Sequence, residues 1–184
     1  MTAGAGEMDL EALLALVRDG RGRFDGEEVV DDLAHAGQTA ALALADGAAT
    51  DLVAAALLHD VGHHPVLVAQ CGRRPHAEAA ADLLAPLLGE RAAFVVRHHV
   101  AAKRHLTATD PAYERSLSQA SRVSLEFQGG AVVVPALLQG WGPLALQLRR
   151  WDDAAKVPGA TEPDWDLLVA LVGRAAEPFT SRTC

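Results

Sequence analysis

The segment from residue 50 to residue 65, TDLVAAALLHDVGHHP, ends an almost uncharged apolar run with a cluster of metal-ligand side chains. The run has the composition of a buried helix, and it stops near Gly62 and Pro65, which interrupt helices. His59 and Asp60 stand at its end, so an imidazole and a carboxylate enter the protein interior side by side. Buried polar groups need partners. The chain must therefore fold so that other segments supply them.

The remaining sequence favours helices over sheets. Alanine and leucine dominate, aromatic residues make up only 4%, and β-branched residues are sparse outside a few valine runs. Residues 75–89 and 90–106 read as two helices that Gly89 separates. We expect an all-α protein, with the ligand-type residues distributed over several helices of a bundle.

Length and charge limit the organisation and the partners. A chain of 184 residues, half of them hydrophobic, suits one domain over residues 1–184, with residues 1–7 flexible and a core of about residues 24–177. The formal net charge of -8 disfavours a nucleic-acid surface. The sequence shows no signal-peptide pattern, and its longest apolar run, LVAAALL, is too short to span a membrane. We expect a cytoplasmic monomer or homodimer without a nucleic-acid or membrane partner.

The histidines and aspartates suggest a metal site. A lone histidine on an apolar helix is usually a core residue with a hydrogen-bond partner. Several such histidines in one small chain are better explained by divalent metal ions that satisfy them together. An adjacent His-Asp pair can also place a nitrogen on one metal and a bridging carboxylate between two. The candidates in chain order are His35, His59-Asp60, His76, His98-His99 and Asp152-Asp153.

Five stretches of sequence resemble the HD-domain superfamily, a helical family named after its His-Asp doublet. They are LAHAGQTA, LLHDVGH, HVAAKRHL, LSQASRVSLEFQGG and LRRWDDAAK, and they cover most of residues 24–156. Within the superfamily they are most similar to the mixed-valence di-iron oxygenases, the group of myo-inositol oxygenase and the phosphonate-cleaving oxygenases. The resemblance implies an HD-domain helical bundle with a binuclear metal site in its core.

The resemblance also assigns the metal ligands. It places one iron on His35, His59, Asp60 and Asp152, with Asp60 bridging to a second iron on His76 and His99. His99 is preferred over His98 because the family pattern has a lysine one turn after the ligand, as Lys103 follows His99 here. Asp152 is preferred over Asp153 because it stands one turn before Lys156. The other member of each doublet remains the alternative.

Substrate contacts are implied at two ends of a cavity. Lys103 and Arg149 concentrate positive charge beside predicted ligands, where an oxyanion would gain charge-assisted hydrogen bonds. The resemblance implies phosphonate-binding roles for His63, Lys103, Ser121 and Arg149.

At the other end, the segment FDGEE resembles one in which an aromatic residue and a glutamate contact an amino group. This points to Phe24 and to Glu27 or Glu28, although a glutamate at a helix start is equally ordinary. Some relatives have an iron-binding tyrosine where this chain has Phe24. A phenyl ring cannot bind iron, so the substrate could differ, for example by a bulkier or methylated amine.

The implied reaction is oxidative cleavage of a carbon-phosphorus bond in a 1-hydroxy-phosphonate. Two iron ions, Fe(II) and Fe(III), would be the cofactors and O2 the co-substrate. A substrate such as 2-amino-1-hydroxyethylphosphonate would give glycine and phosphate, and an N-methylated analogue is a second candidate. The alternative is a metal-dependent HD phosphohydrolase acting on a small phosphate ester or nucleotide, which the same ligands and basic residues would serve. A third reading, a metal-stabilised helical binding module, explains the converging basic groups least well.

Overall fold

The computed structural model describes residues 8–24, 28–72 and 74–180, and within these ranges it contains α-helices, short 3-10 turns and no strand. The expected all-α class is confirmed. The predicted flexibility of residues 1–7 concerns a segment outside the described residues. The helices are α1 (Leu10–Asp19), α2 (Asp32–Ala45), α3 (Thr50–Leu58), α4 (Pro65–Cys71), α5 (His76–Thr109), α6 (Pro111–Ser116), α7 (Gln119–Phe127), α8 (Gly142–Ala154) and α9 (Trp165–Thr180).

Helix α3 forms the centre of the bundle. Every residue from Leu52 to Leu58 is buried, so this helix has no solvent-facing side over most of its length. A helix that is apolar on all faces must be surrounded by other helices. Helices α2, α5 and α9 surround it, and α5 also packs along α8. The main apolar cluster includes residues from Leu13 to Ala176.

Helix α5 reverses its direction at Gly89. Gly89 has φ 85° and ψ 169°, which is a conformation that only glycine adopts readily. A continuous helix would separate His76 from His99 by roughly 35 Å at 1.5 Å per residue. Their Nε2 atoms lie 3.1 Å apart instead, so the two halves of α5 bring both histidines to one place. A Cβ on Gly89 would also come within 2.4 Å of the Phe179 ring.

Gly62 sets the approach of α5 to the turn that follows the His-Asp doublet. The 3-10 turn Val61–His63 comes directly after Asp60 and lies against the start of α5. A Cβ on Gly62 would come within 2.2 Å of the His76 carbonyl oxygen, which is closer than any side chain allows. The glycine therefore lets His76 reach the doublet.

No single helix in the described part of the chain is long and apolar enough to cross a membrane. Thr50–His63 and Pro65–Cys71 meet the length and composition requirement only when taken together, and they are bent by 70°.

Candidate metal centre and substrate cavity

The structure brings the six side chains expected to bind metal into one cluster. They come from helices that are distant in sequence but adjacent in the bundle: α2, the end of α3, both halves of α5, and α8. The cluster divides into two groups of three, which we call the inner and the outer triplet. The inner triplet is His35, His59 and Asp152, and the outer triplet is Asp60, His76 and His99.

The inner triplet lies deep in the bundle. The His35 Nε2 is 3.3 Å from Asp152 Oδ1, and the His59 Nε2 is 3.6 Å from Asp152 Oδ2. The side chains of His59 and Asp152 are only 0% and 3% exposed. All three ligand atoms therefore point at one small volume that water reaches with difficulty.

The outer triplet lies nearer the surface. The His76 Nε2 and the His99 Nε2 are 3.5 Å and 3.4 Å from Asp60 Oδ1. The side chain of Asp60 is 35% exposed, which is much more than any member of the inner triplet. This triplet is therefore the one that solvent and small molecules reach first.

Asp60 faces both triplets. Its Oδ1 points to the outer histidines, whereas its Oδ2 is 3.2 Å from His59 Nε2 and 3.7 Å from His35 Nε2. One carboxylate oxygen thus serves each group. This is the arrangement that a carboxylate bridge between two metal ions needs.

The imidazoles are held with Nε2 directed into the cluster. His35 Nδ1 donates to the Ala155 carbonyl at 3.0 Å, and His59 Nδ1 and His99 Nδ1 donate to the carbonyls three residues earlier at 2.8 and 2.7 Å. A carbonyl oxygen only accepts, so Nδ1 of each ring carries a proton, and Nε2 is the nitrogen left to face a metal ion. Metal-binding histidines are oriented in this way.

The buried Nε2 of His59 has no hydrogen-bond partner among the described residues. Such an atom is costly unless something satisfies it. Burial would lower the pKa of His59, but the nearby carboxylates, above all the charge of Asp60, raise it to about 10. The inner triplet therefore attracts positive charge, which a bound cation would supply. Burial lowers the pKa of His76 to about 3, so this imidazole stays neutral.

The donor set fits a first-row transition metal. Each triplet offers two imidazole nitrogens and one carboxylate, the ligand set of many non-haem iron sites. Neutral imidazoles with fixed rings and a shared carboxylate suit two such ions side by side. The residues present therefore fit a binuclear metal centre.

The second members of the two doublets point elsewhere. His98 stacks on Phe94 at a ring distance of 4.0 Å, and its Nδ1 donates to the Phe94 carbonyl. Asp153 accepts hydrogen bonds from Tyr113, Ser121 and Arg149. Neither belongs to a triplet.

Arg149 ties Asp152 in place. Its Nη1 donates to Asp152 Oδ2 at 2.6 Å, and its Nε donates to Asp153 Oδ2 at 2.8 Å. Burial would raise the pKa of Asp152, yet the Arg149 guanidinium opposes this most strongly among the neighbouring groups, and the carboxyl is held well below its usual range. Arg149 is itself buried and lines the cavity. Its guanidinium already serves two carboxylates.

A cavity with a volume of about 120 Å³ opens beside both triplets. Lys103 reaches it from α5 although its side chain is only 2% exposed. Its Nζ donates to Ser124 Oγ at 2.6 Å, and no carboxylate of the described residues lies within salt-bridge distance. Burial, followed by the charge of Arg149, lowers the pKa of Lys103 to about 8. A buried ammonium with only a neutral partner is a receptor for an anion.

The other predicted substrate contacts are distributed unevenly. Ser121 is buried and lines the cavity, and the His63 ring lines it while stacking on His76 at 3.7 Å. Glu28 also lines the cavity. Phe24 is 54% exposed and is not among the lining residues. Glu27 lies outside the described residues.

Sequence reasoning missed several polar side chains that line the cavity, among them Lys156, Ser124 and Gln128. Lys156 donates to Glu28 at 2.5 Å and to Ser121 Oγ at 2.9 Å. Ser124 accepts from Lys103, and the Gln128 Oε1 is buried without a partner in the described part of the chain. The position of Lys156, one turn after the predicted ligand Asp152, could have indicated that its side chain reaches the same cavity. Ser124 and Gln128 stand three and seven residues after Ser121, on the same face of α7 and at its end.

Comparison with known proteins agrees with this site. No family model matches the chain. The chain is 36% identical over 165 residues to the hydroxymethylphosphonate dioxygenase of Gimesia maris, an alignment that covers 83% of this chain and 81% of that protein. The chain belongs to the phosphonate-cleaving HD-domain oxygenases.

A second relative of this oxygenase is the [1-hydroxy-2-(trimethylamino)ethyl]phosphonate dioxygenase (glycine-betaine-forming) of Leisingera caerulea. It is 33% identical over 152 residues, which cover 78% of each chain. Membership in this family makes the protein an oxygenase that uses a metal cofactor and O2. The phosphohydrolase alternative is not favoured.

Proposed function

We propose that this oxygenase uses two iron ions and O2 to oxidise a small 1-hydroxy-phosphonate and to cleave its carbon-phosphorus bond. One substrate and one O2 would give one carboxylic acid and one phosphate, so the hydroxyl-bearing carbon is oxidised and O2 is reduced. The relatives named above support the reaction class. The proposal depends most on Lys103, a buried lysine without a carboxylate partner among the described residues. It lies in the cavity that residues of both triplets line.

In this proposal the inner triplet and Asp60 hold one iron, and the outer triplet holds the other. When bound, the two ions supply the redox chemistry that O2 activation requires, with one ferric and one ferrous ion in the active state. The protein holds the imidazole rings through their backbone carbonyl bonds and holds Asp152 through Arg149. This fixed geometry would hold both ions in place beside the cavity, where a substrate hydroxyl could reach them.

The cationic side of the cavity would hold the phosphonate. Lys103 provides an ammonium that is already desolvated, so binding an anion costs it little additional hydration. Ser121 and His63 line the same cavity and offer a hydroxyl and an imidazole to phosphonate oxygens. Arg149 adds positive charge behind Asp152. These contacts would leave the carbon that bears the hydroxyl group facing the metal side.

The proposed reaction also implies the ligand of the protein and its location in the cell. We infer a small anionic organophosphonate as the ligand, with no nucleic-acid or membrane partner, and a cytoplasmic enzyme of one domain. The acidic net charge of -8 supports a local receptor for a small anion over a nucleic-acid surface.

The test compares the amount of O2 consumed with the amount of phosphate released. Protein loaded anaerobically with iron is mixed with hydroxymethylphosphonate and a measured amount of O2, and O2 uptake and phosphate release are followed together. We expect equal amounts of O2 consumed and phosphate released, and no phosphate from zinc-loaded protein or without O2. Phosphate release by the zinc-loaded protein in the absence of O2 would support the phosphohydrolase instead.

A further inference from the structure

The Glu28 carboxylate in the cavity is paired with a cation of the protein. The Lys156 Nζ is 2.5 Å from Glu28 Oε1, and the two side chains are 13% and 17% exposed. Lys156 also donates to Ser121 Oγ at 2.9 Å, so its position is fixed from two sides. A partly desolvated ion pair holds its partners more firmly than one at the open surface. Glu28 is therefore occupied before any substrate enters.

The other carboxylates of the cavity are also engaged. Of the described residues, four acidic side chains line it, and besides Glu28 these are Asp32, Asp60 and Asp152. Asp32 pairs with Arg23 at 3.0 Å, Asp152 pairs with Arg149, and Asp60 belongs to the metal triplets. A substrate ammonium would find no unpaired carboxylate among them. It would instead enter a cavity lined by Lys103 and Lys156.

Aromatic recognition of a quaternary ammonium is missing as well. Proteins bind trimethylammonium groups in cages of Trp, Tyr and Phe side chains. The described residues that line this cavity include no Trp, Tyr or Phe, and Phe24 is 54% exposed and lies outside the lining. The paired carboxylates and the missing aromatic side chains thus both disfavour an alkylammonium group in this cavity.

We propose that Lys156 is a specificity-determining residue which neutralises Glu28 and so restricts this oxygenase to hydroxyphosphonates without an ammonium group. This inference rests on the proposed function and narrows its substrate class. An ammonium group would have to lie near the Lys156 charge or displace it from Glu28, and both cost binding energy. The preferred substrates are small hydroxyalkylphosphonates with a neutral or absent side chain.

Two unreactive phosphonates of equal size test this directly. Propylphosphonate and 2-aminoethylphosphonate have the same number of non-hydrogen atoms and differ by a methyl group against an ammonium group. Isothermal titration calorimetry on the metal-loaded protein would compare their dissociation constants. We expect propylphosphonate to bind more tightly by about tenfold or more. Equal binding, or a preference for the amine, would overturn the proposal.

Variants of Lys156 and Glu28 test whether this ion pair causes the preference for propylphosphonate. Lys156→Met leaves Glu28 without its cation, so the preference for propylphosphonate should shrink or reverse. The double variant Lys156→Met, Glu28→Gln removes both charges and should lose any affinity that the single variant gains for the amine. Lys156→Arg retains the charge and should retain the preference. An unchanged preference in Lys156→Met would contradict the role of Lys156, whatever the absolute affinities.

Turnover separates this inference from the proposed function. Phosphate release from hydroxymethylphosphonate and from 2-amino-1-hydroxyethylphosphonate is measured side by side on the iron-loaded protein. We expect faster release from the first compound. Faster release from the aminated compound overturns the inference and leaves the proposed function standing. No release from either compound, together with no binding of either unreactive phosphonate, contradicts both.

Discussion

The inner and outer triplets have the same ligand types, yet the protein supports them differently. The inner triplet lies among three packed helices, and Arg149 holds its carboxylate from behind. The outer triplet contains Asp60, whose side chain is 35% exposed, and His76, which is the first residue of α5. Its geometry depends on the close packing of Gly62 against that helix start. From this comparison we expect a preorganised inner site and an outer site that exchanges a bound ion and its ligands more easily.

The two basic residues of the cavity differ in a similar way. Arg149 and Lys103 are both buried, but Arg149 is bound to two carboxylates while Lys103 contacts only a serine hydroxyl. A buried charge with an acidic partner serves structure first, because losing the partner leaves the charge uncompensated. A buried charge without one is available to a ligand. We therefore expect Arg149 mainly to hold the carboxylates of α8 and Lys103 mainly to bind the substrate anion.

The largest effect is expected from Asp152→Ala. This variant removes an inner ligand and one partner of buried Arg149, which keeps Asp153, so it should lower the free energy of unfolding by about 3 kcal/mol. Activity should fall by about a thousandfold, because the metal centre supplies several kcal/mol of transition-state stabilisation. Metal analysis, thermal unfolding and phosphate release check this. Asp153→Asn is the matched control and should retain two metal ions per chain. Full metal content in Asp152→Ala would contradict Asp152 as a metal ligand and point to Asp153 instead.

His99→Ala should affect the outer site alone. We expect one metal ion per chain to remain and activity to fall by about a thousandfold. Its neighbour provides the control: His98→Ala removes only the contact with Phe94, so it should retain both ions and lose about 1 kcal/mol of stability. Metal content after dialysis, measured for both variants, compares them. The opposite result, with loss of metal in His98→Ala only, would reverse the assignment.

Lys103→Met should separate substrate binding from stability. It removes a buried charge that lacks an acidic partner, so the melting temperature should stay the same or rise. Affinity for propylphosphonate should fall by about 10- to 100-fold, the value of a hydrogen bond to a charged group. Arg104→Met is the control, since Arg104 donates to the Gly129 and Gly130 carbonyls and lies outside the cavity lining. A large loss of stability with unchanged affinity would assign Lys103 a structural role.

The smallest effect is a difference in metal release. A chelator added in increments should remove the outer ion first, with an affinity difference of about tenfold or more between the two sites, because fixed surrounding hydrogen bonds raise metal affinity. Metal content and the visible or magnetic signals of the remaining ion follow the release. Simultaneous loss of both ions at every chelator concentration would mean that the two triplets do not differ in this way.

Much of this arrangement is readable from local sequence. The all-α class follows from composition and apolar spacing, and Gly89 indicates the break in α5 because a glycine between two helical patterns is a strong interruption. The grouping of the six candidate ligands came from a family resemblance that five short motifs carry. No local pattern alone would have placed His76 within 3.1 Å of His99, because that contact depends on a chain reversal.

Long-range pairs could not be predicted in the same way. Lys156 and Glu28 are 128 positions apart, and nothing near either residue indicates the other. The motif FDGEE predicts that Phe24 contacts the substrate, and this stays a prediction, with the Phe24 side chain 54% exposed and outside the cavity lining. The roles assigned to individual substrate contacts remain predictions, since they depend on how a ligand lies in the cavity.

Low-temperature electron paramagnetic resonance tests the central claim most directly. The protein is loaded anaerobically with iron to two ions per chain, partly oxidised, and measured with and without hydroxymethylphosphonate. We predict the signal of a coupled Fe(II)/Fe(III) pair that shifts when the phosphonate is added, because residues of both triplets line the cavity in which we propose that the substrate binds. The absence of a coupled signal at full iron loading would contradict a binuclear oxygenase centre in this cluster.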